Sequence, residues 1–470
     1  MWWSGLGQVW SYVVNFVISL ILARLLAPEE FGIVAIVGVF IALFSVFIDS
    51  GFSMALVQKK DLQPEDCSSV FFLNFAIAVL LYIGLFFAAP WLAEFYKKSI
   101  LTPCIRIIAL TMILSSLGIV QGAMIYRAMQ FQINFRISLI SLSVSGVVGV
   151  FMAFKGFGVW ALVTQTLLKS IISTGFLWLW GKWRPIMAID FKRLKSLFQF
   201  GSKLFFSGIL ECIYHNLYPM LFGKLFNLST LAYYNRGERL PSLGMGIINS
   251  TIGSVLFPTL TGIQDDRERM HKVVKKFLNT IMFLVIPAMT LLFVVAEPLT
   301  ILLFKEKWLP SVPYMQVFCF IFALYPFHTI NLNVLNACGR SDVFLILEII
   351  KKVQLVTTVL LTFRHGPMAM VYGAAVGAVL NVIENSWMSR KLIRYGLEKQ
   401  LKDILPYCVL SLCAAGGAWL ICSLFNSVWL KFLIPSVVFA GIYFGLALLL
   451  KIVPEDMYRI LSEKLKYKRG

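Results

Sequence analysis

The stretch from Phe31 to Asp49 reads FGIVAIVGVFIALFSVFID. Between Glu30 and Asp49 it holds roughly 18 residues without a charge, enough to cross a hydrocarbon core as helix at about 1.5 Å per residue. Runs of this kind recur from about residues 4–26 to about 429–451, giving about fourteen candidate spans. The composition agrees. Of the 470 residues, 59% are hydrophobic and only 14% charged, with a mean hydropathy of +0.82. A soluble chain carries about 25% charged residues. This chain cannot clothe soluble domains, so soluble, secreted and disordered classes are excluded. The sequence predicts an all-α polytopic membrane protein.

The breaks between spans are marked by proline and acidic pairs: Ala27-Pro28-Glu29-Glu30, Gln63-Pro64-Glu65-Asp66, Ala89-Pro90, Arg184-Pro185, Glu297-Pro298 and Gly366-Pro367. The net charge of +19 would point to nucleic acid in a soluble protein. Here the basic residues sit in loops, and those on one side hold roughly three times as many as those on the other, which predicts both termini in the cytoplasm. Nucleic acid is not an expected partner. Two connectors are amphipathic: Phe191, Leu194 and Phe198 oppose Lys192 and Lys195, and Met270, Val273, Val274 and Phe277 lie beside Lys272 and Lys276. Both are expected to lie in the membrane interface, cations toward an anionic lipid bilayer.

A weak repeat runs through the chain. Arg24 to Pro28 parallels Lys224 to Leu228, Ala89-Pro90 parallels Glu297-Pro298, and Lys155-Gly156 with Trp160 to Leu162 parallels His365-Gly366 with Met370 to Tyr372. Each repeat has an even number of spans, so the halves are parallel, a transporter layout. The expected organisation is residues 1–181 as a six-helix bundle, 182–199 as a cytoplasmic amphipathic linker, 200–391 as a second six-helix bundle, and 392–470 as two extra helices with a basic tail.

Catalytic signatures are missing. There is no GxxxxGK[ST], GxSxG or HExxH, and no large loop to carry an active site. The four histidines are scattered, and the eight cysteines form no CxxC, as expected of small core residues. No enzyme, metal or cofactor is expected. An ionisable side chain deep in a span needs a partner or a wet cavity. Lys169 lies far from either end of its span, facing a cavity or tied to a carboxylate. Arg236 and Arg239 are i,i+3 neighbours ahead of Pro241, suited to a diphosphate, with pairing to Glu238 the competing reading. Glu211 and His215 at i,i+4 form either a proton-coupling site or a satisfied pair. Asp49 and Arg24 are candidates for gating. Glu348 with Lys351 and Lys352, and Glu384 beside Asn381 and Asn385, remain ambiguous.

The segment Ala23 to Gly32, then Asp49 to Phe52 and Ala55 to Gln58, resembles the start of the Wzx-type polysaccharide flippases. Tyr234-Asn235-Arg236, Leu240-Pro241, Leu256-Phe257-Pro258 and Ile263 to Asp266 agree with it. The chain is similar to the polysaccharide-transport branch of the multidrug/oligosaccharidyl-lipid/polysaccharide exporter superfamily. The resemblance implies two six-helix bundles in a V around a cationic cavity, plus two C-terminal helices. It also implies translocation of an undecaprenyl-diphosphate-linked oligosaccharide across the bacterial inner membrane by alternating access, without cofactors, driven by a proton or sodium gradient. Arg236, Arg239 and Lys169 are then the expected substrate contacts, with Arg24, Asp49, Glu211 and His215 for gating or ion coupling. A polysaccharide polymerase and chain-length proteins stand as further expected partners. The alternatives are a multidrug or small-cation exporter, or a peptidoglycan-precursor flippase.

Overall fold

The computed structural model describes residues 2–454 apart from Ala188 and Ser423. Tail residues Arg459, Lys464, Lys466, Lys468 and Arg469, which the loop-charge argument uses, lie outside the described residues. The described residues form helices joined by short connections, in two compact units, Met1–Ala232 and Tyr233–Gly470. The first holds α1 (Trp2–Leu25), α2 (Pro28–Asp49), α3 (Phe52–Gln58), α4 (Pro64–Phe95), α5 (Leu101–Ile108), α6 (Leu110–Arg127), α7 (Phe131–Phe154), α8 (Val159–Trp180), α9 (Phe191–Leu225) and the start of α10 (Leu228–Ser242). The second holds the rest of α10, α11 (Met245–Thr251), a π-helical turn Ile252–Leu256, α12 (Phe257–Thr261), α13 (Arg267–Val294) and α14 (Ala296–Phe304). A 3-10 turn Glu306–Ser311 then leads to α15 (Val312–Ala337), α16 (Ser341–Thr362), α17 (Pro367–Ile393), α18 (Leu397–Cys422) and α19 (Val428–Leu449).

Among the described residues, ten helical stretches are long and apolar enough to cross a membrane. The other four expected spans fall on α1, α9, the broken run α10–α12, and α16, whose Asp342, Glu348, Lys351 and Lys352 dilute its apolar character. An all-α polytopic membrane protein is therefore what the chain forms. The helix starts follow the local chemistry. Pro28 sits in the first turn of α2, and the Glu30 Oε2 accepts from the Ala27 amide at 2.7 Å, satisfying an orphan donor where the helix dipole favours negative charge. The helix ends at Ser50 and Gly51, with φ of 46° and 76°. A Cβ on Gly51 would lie 2.5 Å from the Gly201 carbonyl oxygen, so only glycine allows α2 and α9 to meet there.

Three expectations change. The helix does not break at Ala89-Pro90: α4 runs on to Phe95, since a proline costs one ladder bond that a packed membrane helix tolerates. The linker 182–199 is not separate throughout, because α9 continues unbroken from Phe191 to Leu225. Nor does the second amphipathic connector lie apolar face down on lipid: Met270 and Val274 are buried in the core of the second unit beside Val334 and Ile393, so protein covers its period-3.6 stripe. In the first connector Leu194 is buried against Phe52, Leu56 and Phe71, while Phe191 and Phe198 of the same stripe are exposed.

Polar contacts fix the end of the α9 extension. Asp190 caps the helix, accepting from the amides of Lys192 (2.9 Å) and Arg193 (3.1 Å). The Arg193 amide first, then that of Lys192 and the Arg193 charge, hold the Asp190 carboxyl below its ordinary range. The fully buried Asp66 takes Lys59 at 2.8 Å and Arg193 at 3.6 Å. Ser68 and Ser69 accept from the Ile186 and Asp190 amides. Within the repeat, α8 starts after Gly156 (φ 79°) and Gly158 (φ 58°), and α17 starts after Gly366 (φ 96°), each unit turning on glycine at the matching point.

Candidate functional site

In the first unit, α6 and α8 run close enough that a Cβ on Gly118 would stand 2.9 Å from a Leu177 methyl. Trp178 pins the pair, donating from Nε1 to the Leu117 carbonyl at 3.0 Å, as does Thr174 to Leu114 at 3.0 Å. Beside these contacts the helices leave a cleft of about 400 Å³. Thr111 and Ser115 line it from α6, and Thr166, Lys169, Ser170, Ser173 and Thr174 from α8. Ser115 and Thr166 donate their hydroxyl protons to carbonyls of their own helices and Thr111 to the Ile108 carbonyl at the end of α5, at 2.6–2.8 Å. Their oxygen lone pairs therefore remain for a guest to donate to. Lys169 is exposed in this cleft, about 15 Å from the start of α8 at Val159, so the cavity reading prevails over a buried tie to a carboxylate. A cation among hydroxyls inside a membrane span can hold a phosphate and sugar hydroxyls together.

The arginines of α10 are neighbours that point to different surroundings. Arg236 is buried, its guanidinium 4.6 Å from the Phe304 ring centroid and 4.7 Å from that of Trp308. Gly237 lets α10 press onto α15, where a Cβ would meet Tyr314 Cβ at 2.7 Å. Arg239 is exposed. The structure gives the two unequal access: Arg236 is buried against two rings, and Arg239 is exposed.

Asp49 ends α2 and ties it to the first turn of α3, accepting from the Ser53 amide (3.1 Å) and hydroxyl (2.8 Å). Arg24 is exposed near the end of α1. Glu211 and His215 face each other along α9 at 3.7 Å, both largely exposed. The residues left ambiguous by sequence fall in a polar region on α15, α16 and α17, with Lys351 and Asn385 buried and Glu348 and Glu384 partly so. Lys351 pairs with Glu348 at 2.9 Å, Gln354 donates to Glu384, and Asn385 meets His328 at 2.7 Å. Sequence reading missed the hydroxyl stripes, although Thr111, Ser115 and Gly118, and Thr166, Ser170, Ser173 and Leu177, recur at the helical spacing that would have shown them. Among the described residues no group of His, Cys, Asp and Glu could hold a metal, and all eight cysteines are free.

Known proteins share this chain's sequence and fold. The chain is 27% identical over 388 residues to the succinoglycan biosynthesis transport protein ExoT of Rhizobium meliloti (strain 1021), covering 82% of this chain and 78% of the relative. It is 24% identical to the teichuronic acid biosynthesis protein TuaB of Bacillus subtilis (strain 168), covering 87% and 85%, and 22% identical to the lipopolysaccharide biosynthesis protein WzxC of Escherichia coli (strain K12), covering 82% and 78%. The fold is that of a solved lipid II flippase MurJ in an inward closed conformation, with a TM-score of 0.76, 15% identity and coverage of 98% and 99%. An inward-facing multidrug resistance MATE family transporter follows, with a TM-score of 0.62, 14% identity and coverage of 82% and 94%. Residues 21–313, more than half of the chain, match the family described as Polysaccharide biosynthesis protein. With its Wzx-type sequence segments, its transporter fold and that match agreeing, this chain belongs to the polysaccharide biosynthesis protein family.

Proposed function

We propose that this transporter flips undecaprenyl-diphosphate-linked oligosaccharide repeat units across the bacterial inner membrane by alternating access, with both termini in the cytoplasm. The observation that carries the reading is the hydroxyl-lined cleft around Lys169 within a membrane span. An ammonium group there suits a diphosphate as a compact point charge, and oxygen acceptors suit sugar hydroxyls. Lys169 and the exposed Arg239 are assigned to substrate. Arg236 positions α10 and so presents Arg239. The repeats 1–181 and 200–391, joined through 182–199, would be the alternating halves, with 392–470 appended. A proton or sodium gradient would drive the cycle, Arg24, Glu211 and His215 being the gating or coupling candidates, and Asp49 acting through the α2–α3 bend it ties. A polysaccharide polymerase and chain-length proteins would take the product.

Two rival substrates share the fold. A small-cation or drug exporter is disfavoured by Lys169, which repels a cationic guest. A peptidoglycan precursor offers the same diphosphate, and the group carried beyond it distinguishes the two. The test uses proteoliposomes carrying a fluorescent undecaprenyl-diphosphate oligosaccharide and a membrane-impermeant quencher. Protein-dependent translocation that falls in Lys169→Ala and Arg239→Ala supports the assignment. Translocation of a peptidoglycan precursor but of no oligosaccharide-linked lipid would sink it.

A further inference from the structure

The second unit has a cavity of about 690 Å³ at the elbow where α17 turns into α18, lined by Ile383, Trp387, Arg390, Arg394, Lys399 and Leu401, with Glu398 as its acidic member. The elbow is rigidly built. Arg394 ends α17 in the left-handed region with φ 55°. Tyr395 is fully buried, donates to Asp403 Oδ2 at 2.8 Å and lies 4.7 Å from the His271 ring. Arg390 runs its stem past Gly396, where an added Cβ would lie 2.9 Å from the arginine Cβ, and its charged head is exposed. Lys399 donates to the Arg394 carbonyl at 3.1 Å, which draws it to the same rim.

The cavity wall is graded. Ile383, Trp387 and Leu401 are about half exposed and apolar, and lie one to three helical turns from the cations. Lys391 stands 3.8 Å over the Trp387 ring and holds it in place. Three cations face one carboxylate at the end of two membrane-spanning helices. A basic pocket with an apolar flank at that depth matches an anionic headgroup above acyl chains, as tryptophan and arginine at a span end do in general. The Lys169 cleft lies in the first unit, and Arg239, the other residue assigned to substrate, does not line this pocket.

We propose that this elbow is a binding site for an anionic phospholipid, its phosphate held by Arg390 and Arg394 and its acyl chains laid along Ile383, Trp387 and Leu401. The preformed elbow means that binding orders little protein, which favours retention.

The test is native mass spectrometry of the full-length protein released from nanodiscs containing phosphatidylglycerol and phosphatidylcholine. Wild type should retain phosphatidylglycerol preferentially. Each cation contributes about fivefold, so the Arg390→Ala/Arg394→Ala double variant should lose roughly twentyfold in that preference. Arg390→Lys/Arg394→Lys should keep most of it, and Lys60→Ala, an exposed lysine elsewhere, should change nothing. Trp387→Ala should weaken retention of both lipids. Equal retention of phosphatidylglycerol by wild type and the double-alanine variant would overturn the proposal. So would displacement of the lipid by inorganic phosphate alone, which would make this a phosphate site.

Discussion

Arg236→Ala separates a structural arginine from a substrate contact. The guanidinium sits 4.6 and 4.7 Å from two ring centroids, and both rings are buried, Trp308 fully and Phe304 nearly so. A desolvated cation–π contact is worth about 2 kcal/mol. One planar group cannot optimise two faces, and truncation also leaves a void, so the loss should be about 2–4 kcal/mol. That is large for a single substitution. Arg236→Lys keeps the charge but loses the planar stacking, and should fall between wild type and Ala. The assay is thermal unfolding of the purified protein in one detergent, followed by size-exclusion fluorescence, beside headgroup translocation in proteoliposomes. Arg236→Ala should unfold at a clearly lower temperature, and what translocation remains should track the folded fraction. A variant as stable as wild type yet inactive would refute the structural assignment and return Arg236 to the substrate.

Lys169→Ala should show the opposite pattern, unchanged unfolding with substrate affinity reduced by roughly tenfold or more, because a charge-assisted bond contributes about 1.5–3 kcal/mol and the side chain packs against nothing that needs it. Binding of labelled substrate to the detergent-solubilised variant checks this. Gly32→Ala would put a Cβ 1.9 Å from the Leu228 carbonyl oxygen, so it should prevent α10 from seating on α2 and sharply lower the yield of folded protein. Gly38→Ala, with nothing within 4 Å, should be neutral or gain about 0.5–1 kcal/mol. Asp190 predicts a pH effect. Its folded pKa is depressed, so its contribution is present above the ordinary carboxylate range and is lost as pH falls through the folded value. Limited proteolysis of the 182–199 segment should therefore quicken at acid pH, whereas Asp190→Asn, which still caps the helix, should remove that dependence on pH.

The membrane-spanning character and most helix boundaries were legible in the chain, because hydropathy and chain-reversing residues act locally. FGIVAIVGVFIALFSVFID became α2 with its cap at Pro28 to Glu30 and its end at Ser50-Gly51. Ala89-Pro90 misled, since whether a proline stops a helix depends on what packs around it. The amphipathic stripe at Met270 was real, but a stripe says only that one face is covered, not by what.

The ionisable residues were found by sequence and given their surroundings only by the tertiary structure. Arg236 and Arg239 share a helix face by spacing, yet two aromatic rings from another part of the second unit take the first and leave the second exposed. Asp49 spends its carboxylate on the next helix start. The cleft at Lys169 exists because α6 and α8 meet at Gly118 and part beside it. Hydrophobic burial depends on composition along the chain, so one sequence can announce it. A binding site depends on which side chains from distant segments converge, and only packing decides that.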